Sequence, residues 1–325
     1  MSSVKHLQKK RQELQHQYDL LSEKIGCLRV DAAIQAGASV AFQLRKEIEQ
    51  FEKERDLLHN QIQTIERFCG SEPIHSELFR LNYTAQVRFF REFIAEKRIG
   101  AFLVHGLPEH GQIWLLKRLL QTIPDSTATP LLQFRLSRRA LRTDIAALWR
   151  DLGCQIGVEN FSSYEQIAQN VVAQLKTQHI ILVFYDLDCI DETYLHELIR
   201  EFWLPLVNST QKIYSSNEFF LLVFLVDQDG CVSTWNLGFA EQLDPIWKPD
   251  IPIRLPIIDP LCERVLVNWM EIAIDVLPIQ VTKKIDYTVQ AILEKSEGVP
   301  ERVFAEIFNL CGCKWQEEET RWLEL

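Results

Sequence analysis

The sequence predicts an α/β fold in which a parallel sheet carries helices on both faces, with an N-terminal α-helical hairpin and a C-terminal helical subdomain. Three observations carry this prediction. Between residues 99 and 255, near-continuous apolar segments alternate with segments of helical periodicity, which is typical of strands buried on both faces. Residues 1–68 contain no proline and repeat apolar residues at heptad spacing, as in a coiled coil. After Asp259 the apolar residues recur at helical spacing.

The N-terminal segment is predicted to form two antiparallel helices, each with one apolar seam. The seam residues are Leu14, Tyr18, Leu21, Ile25 and Leu28 in the first helix, and Leu44, Ile48, Phe51, Leu58, Ile62 and Ile65 in the second. Small residues between 31 and 39 predict the turn. A two-helix unit buries little apolar surface alone. We therefore interpret residues 1–68 as an adaptor that self-associates or binds a protein partner through Leu14, Leu21, Ile25, Leu44, Ile48 and Phe51; a helical pair packed on the main domain is the alternative.

A domain boundary is predicted after the hairpin. Residues 69–78 combine Gly70 and Pro73 with small polar residues, which favours a linker. The α/β domain is then expected over residues 79–259 and a helical lid over residues 260–325. Strands are predicted at 99–105, 131–136, 179–185, 219–226 and 251–255.

The loop after the first strand has the G-x-x-x-x-G frame of a phosphate-binding loop, from Gly106 to Gly111. The next two positions, which hold Lys and Ser/Thr in a working P-loop, carry Gln112 and Ile113. Gln112 brings no charge for terminal phosphates, and Ile113 cannot coordinate magnesium. Glu109 adds a carboxylate that would repel a triphosphate. The sequence therefore predicts a P-loop NTPase-like architecture without catalysis, and we expect no catalytic residue, no metal and no cofactor.

Other polar positions would complete such a site. Asp186 ends a strand expected to neighbour the loop strand, where P-loop enzymes place a magnesium-binding acid. Asp188 and Asp191 are weaker candidates, because either could cap the next helix. Residues 227–229 could sense a terminal phosphate or open a turn at Gly230. His110, inside the loop, is expected to be exposed rather than catalytic.

Charge and composition limit the classes of function. The formal net charge of −10 argues against a broad nucleic-acid-binding face. The basic cluster of Arg135, Arg138, Arg139 and Arg142 could contact phosphates or an acidic partner, or could be a solvated face; we do not expect nucleic acid as a partner. No apolar run is long enough for a bilayer. Without a signal peptide or C-x-x-C pair, the eight cysteines indicate reduced thiols and a cytoplasmic location.

Residues 81–120, LNYTAQVRFFREFIAEKRIGAFLVHGLPEHGQIWLLKRLL, resemble the start of the inactive STAND-type NTPase domains of bacterial conflict systems, common in cyanobacteria. STAND proteins are signal-transducing relatives of AAA+ ATPases. The resemblance spans residues 78–312, and residues 298–300 resemble the STAND G-x-P motif, whose proline contacts adenine in active members. It implies a vestigial nucleotide site made of Gly106, Gly111, Gln112, Ile113, Asp186 and Pro300. The hairpin is similar to effector-associated helical modules, which are thought to pair with like modules.

We therefore expect a non-catalytic scaffold with a helical interaction module, acting in assembly or signalling, in a prokaryotic defence system. One alternative is a nucleotide-binding switch or an ATPase with a diverged loop, holding ATP or ADP. A second alternative is a nucleic-acid-associated regulator that uses the arginines between residues 135 and 142.

Overall fold

The computed structural model describes residues 2–34, 38–124, 129–158, 163–213, 218–313 and 315. The chain divides into two compact units. The first consists of Met1–Leu78 with Ala273–Leu277, and the second of Phe79–Ile272 with Pro278–Leu325. Most of the predicted α/β domain and of the predicted lid therefore fall in the same unit.

The first unit contains a helical hairpin, in which α1 (Ser2–Ile34) packs against α2 (Ala38–Leu78). Ile25 and Ile62 are buried. The other predicted interaction residues with described side chains are half-buried along the same seam, namely Leu14, Leu21, Leu44, Ile48 and Phe51. Residues 35–37 of the predicted turn, and the side chain of Ile65, lie outside the described residues.

The predicted linker is part of a helix. Helix α2 continues through residues 69–78 and includes Pro73, so the residues predicted as a linker are helical. A proline inside a helix removes one backbone hydrogen bond and favours a kink, and here the helix continues despite that loss. The division between the two units falls directly after Leu78.

The second unit is built on a five-stranded sheet in which every pairing is parallel, as the sequence predicted. The strands are β1 (Ile99–Val104), β2 (Leu131–Arg135), β3 (Ile180–Tyr185), β4 (Leu221–Val226) and β5 (Ile253–Arg254). Their order across the sheet is β2-β3-β4-β1-β5. Because β1, β3 and β4 are buried at every position, their sequences are apolar throughout rather than alternating.

Helices connect and follow the strands. They are α3 (Thr84–Glu96), α4 (Gln112–Thr122), α5 (Ile145–Gln155), α6 (Tyr164–Gln174), α7 (Glu192–Leu198), α8 (Leu204–Ile213), α9 (Glu263–Ile272), α10 (Ile279–Thr282), α11 (Ile285–Ser296) and α12 (Pro300–Leu310). A π-helical turn, Ile199–Trp203, joins α7 to α8. No helix in the described part of the chain is both long and apolar enough to cross a bilayer.

The two faces of the sheet bury different side chains, because successive residues of a strand point to opposite sides. Ala101 and Leu103 of β1 belong to the core cluster that also contains residues of α5 to α8. Phe102 points to the other face, where its ring meets Phe93 of α3 edge-on at 4.7 Å. A Cβ at Gly100 would lie 2.5 Å from the Phe93 ring, so glycine permits this close approach of α3.

One side chain, that of Gln155, pairs with the backbone of the outer strand β2 at Gln133. The Gln133 amide N–H donates to Gln155 Oε1 at 3.1 Å, and Gln155 Nε2 donates to the Gln133 carbonyl at 3.1 Å. The carboxamide of Gln155 therefore pairs with this edge as a neighbouring strand would. Such pairing protects an exposed edge from association with another chain.

Candidate functional site

The phosphate-binding-loop frame lies at the carboxyl end of β1, between β4 and β5 in the sheet, and leads into α4. Gly111 has φ of +78°, and a Cβ there would lie 2.2 Å from the Tyr83 hydroxyl. That hydroxyl donates to the His110 carbonyl at 3.3 Å. Glycine is therefore required at this position both by its backbone conformation and by the approach of Tyr83.

Gln112, at the position of the P-loop lysine, is bound to the protein's own backbone. Its side chain is 2% exposed, and Nε2 donates to the carbonyls of Leu107 at 3.0 Å and Gln228 at 3.2 Å. A working loop keeps its centre open so that backbone N–H groups can converge on phosphate. Here the amide nitrogen lies against the loop, 3.4 Å from where a Cβ on Gly106 would be. The Gln112 amide is a neutral donor that is already paired with two carbonyls of the chain.

Ile113 occupies the position of the magnesium-binding hydroxyl and is half-buried in the first turn of α4. An isoleucine side chain has no donor oxygen for a hard cation, which takes oxygen ligands.

The turn after β4 closes over the same loop. Asp227 is fully buried and accepts hydrogen bonds from the backbone N–H groups of Gly230 at 3.0 Å and Val232 at 2.9 Å. Burial raises the pKa of Asp227, and these hydrogen bonds oppose that effect. A Cβ on Gly230 would lie 2.7 Å from the Gly106 carbonyl oxygen. The structure thus supports the turn interpretation of residues 227–230, because the Asp227 carboxylate is used within its own turn.

Glu109 connects the loop to α12. Its φ is +62°, uncommon for a residue with a Cβ. Its Oε2 accepts from Arg302 Nε at 2.7 Å and also from Nη2 of the same guanidinium group. Its carbonyl accepts from the Glu301 backbone N–H at 3.1 Å. The carboxylate that would repel a triphosphate is therefore neutralised by an arginine of the helical subdomain.

The G-x-P segment fixes the start of α12. Pro300 is buried at the first helical turn, where a proline is favoured because its missing N–H leaves no helical bond unmade. Gly298 has φ of +77°, and a Cβ there would lie 2.6 Å from the Leu261 carbonyl oxygen. The Leu261 backbone N–H donates to the Gly298 carbonyl at 2.7 Å. Ring contact between Trp114 of α4 and Phe304 of α12, at 4.9 Å, continues the packing behind the loop.

Asp186 does not follow a neighbour of the loop strand. Strand β4 lies between β3 and β1, so the prediction that the two strands are adjacent is wrong. Asp186 has φ of +61°, and its carboxylate accepts from the Ser137 hydroxyl at 2.5 Å. Ser137 follows β2, which lies on the side of β3 away from β1. The sheet neighbour of the loop strand on this side is the apolar strand β4. Asp191 caps α7 by accepting from the Tyr194 backbone N–H at 2.8 Å.

Two histidines near the loop are buried rather than exposed. His110 is 3% exposed, which corrects the sequence expectation, and its Nδ1 lies 3.0 Å from the Pro108 carbonyl. His105 Nε2 lies 2.8 Å from the Leu255 carbonyl. Burial lowers the pKa of His105. The hydrogen bond with the Leu255 carbonyl opposes this effect, the Arg254 charge adds to it, and the charges of Asp227 and Glu241 oppose it. Each ring thus lies within hydrogen-bonding distance of a backbone carbonyl through one of its nitrogens.

Of the six predicted site residues, Gly106, Gly111, Gln112 and Ile113 lie together in the loop and the first turn of α4. The helix that begins at Pro300 is joined to the loop through Glu109. Asp186 instead bonds Ser137, away from the loop. Sequence reasoning missed three residues that hold the loop, namely Tyr83, Gly230 and Arg302. The Asp229-Gly230 pair signalled a turn but not its contact with the loop. Nothing in the spacing of Tyr83 or Arg302 indicates that they reach it.

Residues 78–226 match the family model described as inactive STAND. The match covers α3, β1 to β4 and the loop, including the positions of Gln112 and Ile113. A search of curated proteins finds no match to the chain. Because the matched family is an inactive class, the match agrees with the expectation of a non-enzymatic domain.

Proposed function

Since residues 78–226 form an inactive STAND-type NTPase domain, we propose that this chain is a non-catalytic scaffold whose N-terminal helices bind a protein partner. Its role is assembly or signalling, in a prokaryotic defence system. The inactive domain supplies a fixed platform, and the helical hairpin supplies the module that contacts other proteins.

The observation that carries this proposal is the position of the Gln112 side chain. It is buried and satisfied by the Leu107 and Gln228 carbonyls. A nucleotide phosphate would have to displace these two hydrogen bonds and would gain no cationic donor in return. Charge-assisted hydrogen bonds contribute about 1.5–3 kcal/mol each, and this loop has lost the lysine that would supply them.

A second feature supports a state that needs no nucleotide. The Glu109 carboxylate accepts from Arg302 of α12, and the Glu109 carbonyl accepts from the Glu301 N–H. The loop and α12 are thus joined by groups of the chain itself.

The interaction role of the hairpin is supported by incomplete burial of its apolar residues. Leu20 and Leu57 are 53% and 63% exposed, and most seam residues are only half-buried. Helices that leave apolar side chains partly exposed gain stability by pairing with further helices. We expect light scattering of the full chain to show oligomers that are lost on charge substitution at the exposed Leu20 and Leu57, whereas the same substitutions at exposed Gln43 and Gln50 leave them intact.

Titration calorimetry with ATP and Mg²⁺, together with a phosphate-release assay, tests the loss of catalysis. We expect no phosphate release. Turnover that disappears in Asp186→Ala would contradict the proposal, because it would show a working acid at that position.

A second candidate function is binding of ATP or ADP without hydrolysis. A cavity of about 620 Å³, lined by Arg80, Asn82 and Thr84 on either side of Tyr83 and by Arg264 and Asn268 of α9, favours it. This volume lies within the range of ligand pockets. Calorimetric binding of ADP that is lost in Arg264→Ala, without phosphate release, would favour this function over a ligand-free scaffold.

A further inference from the structure

The segment from the end of β2 to α5 carries four arginines. Arg135, Arg138, Arg139 and Arg142, which we call the arginine patch, are all exposed. Arg135 is the last residue of β2, and the other three lie in the turns that follow it. Backbone hydrogen bonds order these turns, from the N–H of Arg138 to the Arg135 carbonyl at 3.1 Å and from the N–H of Arg142 to the Arg138 carbonyl at 3.3 Å.

The patch is held in place by the core beneath it. Leu136 and Leu141, within the same segment, are buried in the main hydrophobic cluster. The Tyr194 hydroxyl donates to the Leu141 carbonyl. Because both anchors are fixed, the guanidinium groups extend from a backbone that is already ordered, which lowers the entropic cost of binding.

The four guanidinium groups lack direct ion pairs, since none of them pairs with a carboxylate within the described ranges. Asp144, close to the patch in sequence, pairs with Arg150 at 3.0 Å. Arg135 lies over the Tyr185 ring at 5.3 Å, and Arg142 lines a pocket with Asp191 and Glu197. The patch therefore brings four positive charges within residues 135–142 of a chain whose net charge is −10.

We propose that the arginine patch is a docking site for an acidic segment of a partner protein. This deepens the proposed scaffold function and rests on it. Guanidinium groups pair with carboxylates through two parallel hydrogen bonds, which favours arginine at such interfaces. A protein segment fits better than a nucleic acid, because residues 135–142 contain no aromatic side chain for base stacking.

Fluorescence anisotropy of a labelled ten-glutamate peptide, titrated with the full chain at low ionic strength, tests this proposal. The wild-type chain binds the peptide, and Arg138→Glu/Arg139→Glu weakens binding at least tenfold. The matched control, Arg88→Glu/Arg91→Glu on exposed positions of α3, changes the net charge equally and retains wild-type binding.

Several results would overturn the proposal. These are absence of peptide binding, equal loss in both double variants, or tighter binding of a labelled oligothymidine that depends on the same arginines. Thermal unfolding of each variant checks the fold. Light scattering separates this proposal from the scaffold function, because hairpin-dependent oligomers should persist in Arg138→Glu/Arg139→Glu.

Discussion

Replacing Gln112 by leucine tests whether its side chain braces the loop. Leucine keeps a similar size but cannot donate to the Leu107 and Gln228 carbonyls. Each lost hydrogen bond costs about 0.5–1.5 kcal/mol, so we expect Gln112→Leu to lower the free energy of unfolding by about 2 kcal/mol. For a domain of this size that corresponds to a fall in melting temperature of roughly 4–8 °C.

The matched control is Gln121→Leu, an exposed position near the end of the same helix. We expect a shift in melting temperature of roughly 1–2 °C or less there, since surface substitutions usually change stability by less than about 0.5 kcal/mol. Thermal unfolding followed by circular dichroism measures both variants. Equal melting temperatures for Gln112→Leu and the wild type would refute the bracing role.

Three further substitutions test other parts of the account. The pKa of buried His105 is lowered, so its contribution to stability is present above about pH 6.5 and is lost as the pH falls; urea unfolding at two pH values should show a weaker loss on acidification in His105→Gln. Gly230→Ala should lower the melting temperature, because its φ is +74° and a Cβ would meet the loop carbonyl at 2.7 Å, whereas Gly238→Ala, with open space around its Cβ, should not; equal effects would contradict the close approach. Gln155→Ala frees the edge of β2 at Gln133, and we expect concentration-dependent aggregation in light scattering; a variant that stays monodisperse would show that the edge needs no cover.

The sequence predicts much of this fold because its signals are local. Apolar runs such as 180–185 mark buried parallel strands, and heptads mark the hairpin. The order of strands depends on long-range pairing, and therefore the position of β4 between β3 and β1 was not predicted. Pro73, which favoured a linker in the sequence, lies inside α2.

The candidate site likewise combines residues that the sequence predicts with contacts that it does not predict. The replacements at Gln112 and Ile113 are visible in the sequence, because a known frame fixes what those positions should hold. The pairing of Glu109 with Arg302 joins residues far apart in the chain, and no spacing rule indicates it. His110 was expected at the surface as a polar loop residue, but its ring turns inward to the Pro108 carbonyl.

The central claim is that Gln112 holds the loop, and Glu109 joins it to α12, without a nucleotide. Hydrogen exchange measured by mass spectrometry on peptides covering residues 105–116 and 297–305, with and without ATP and Mg²⁺, tests it most directly. We predict slow exchange in both regions that is unchanged by nucleotide. Fast exchange in the free protein that becomes slow on addition of ATP would contradict the claim, because it would show an open loop that a ligand closes.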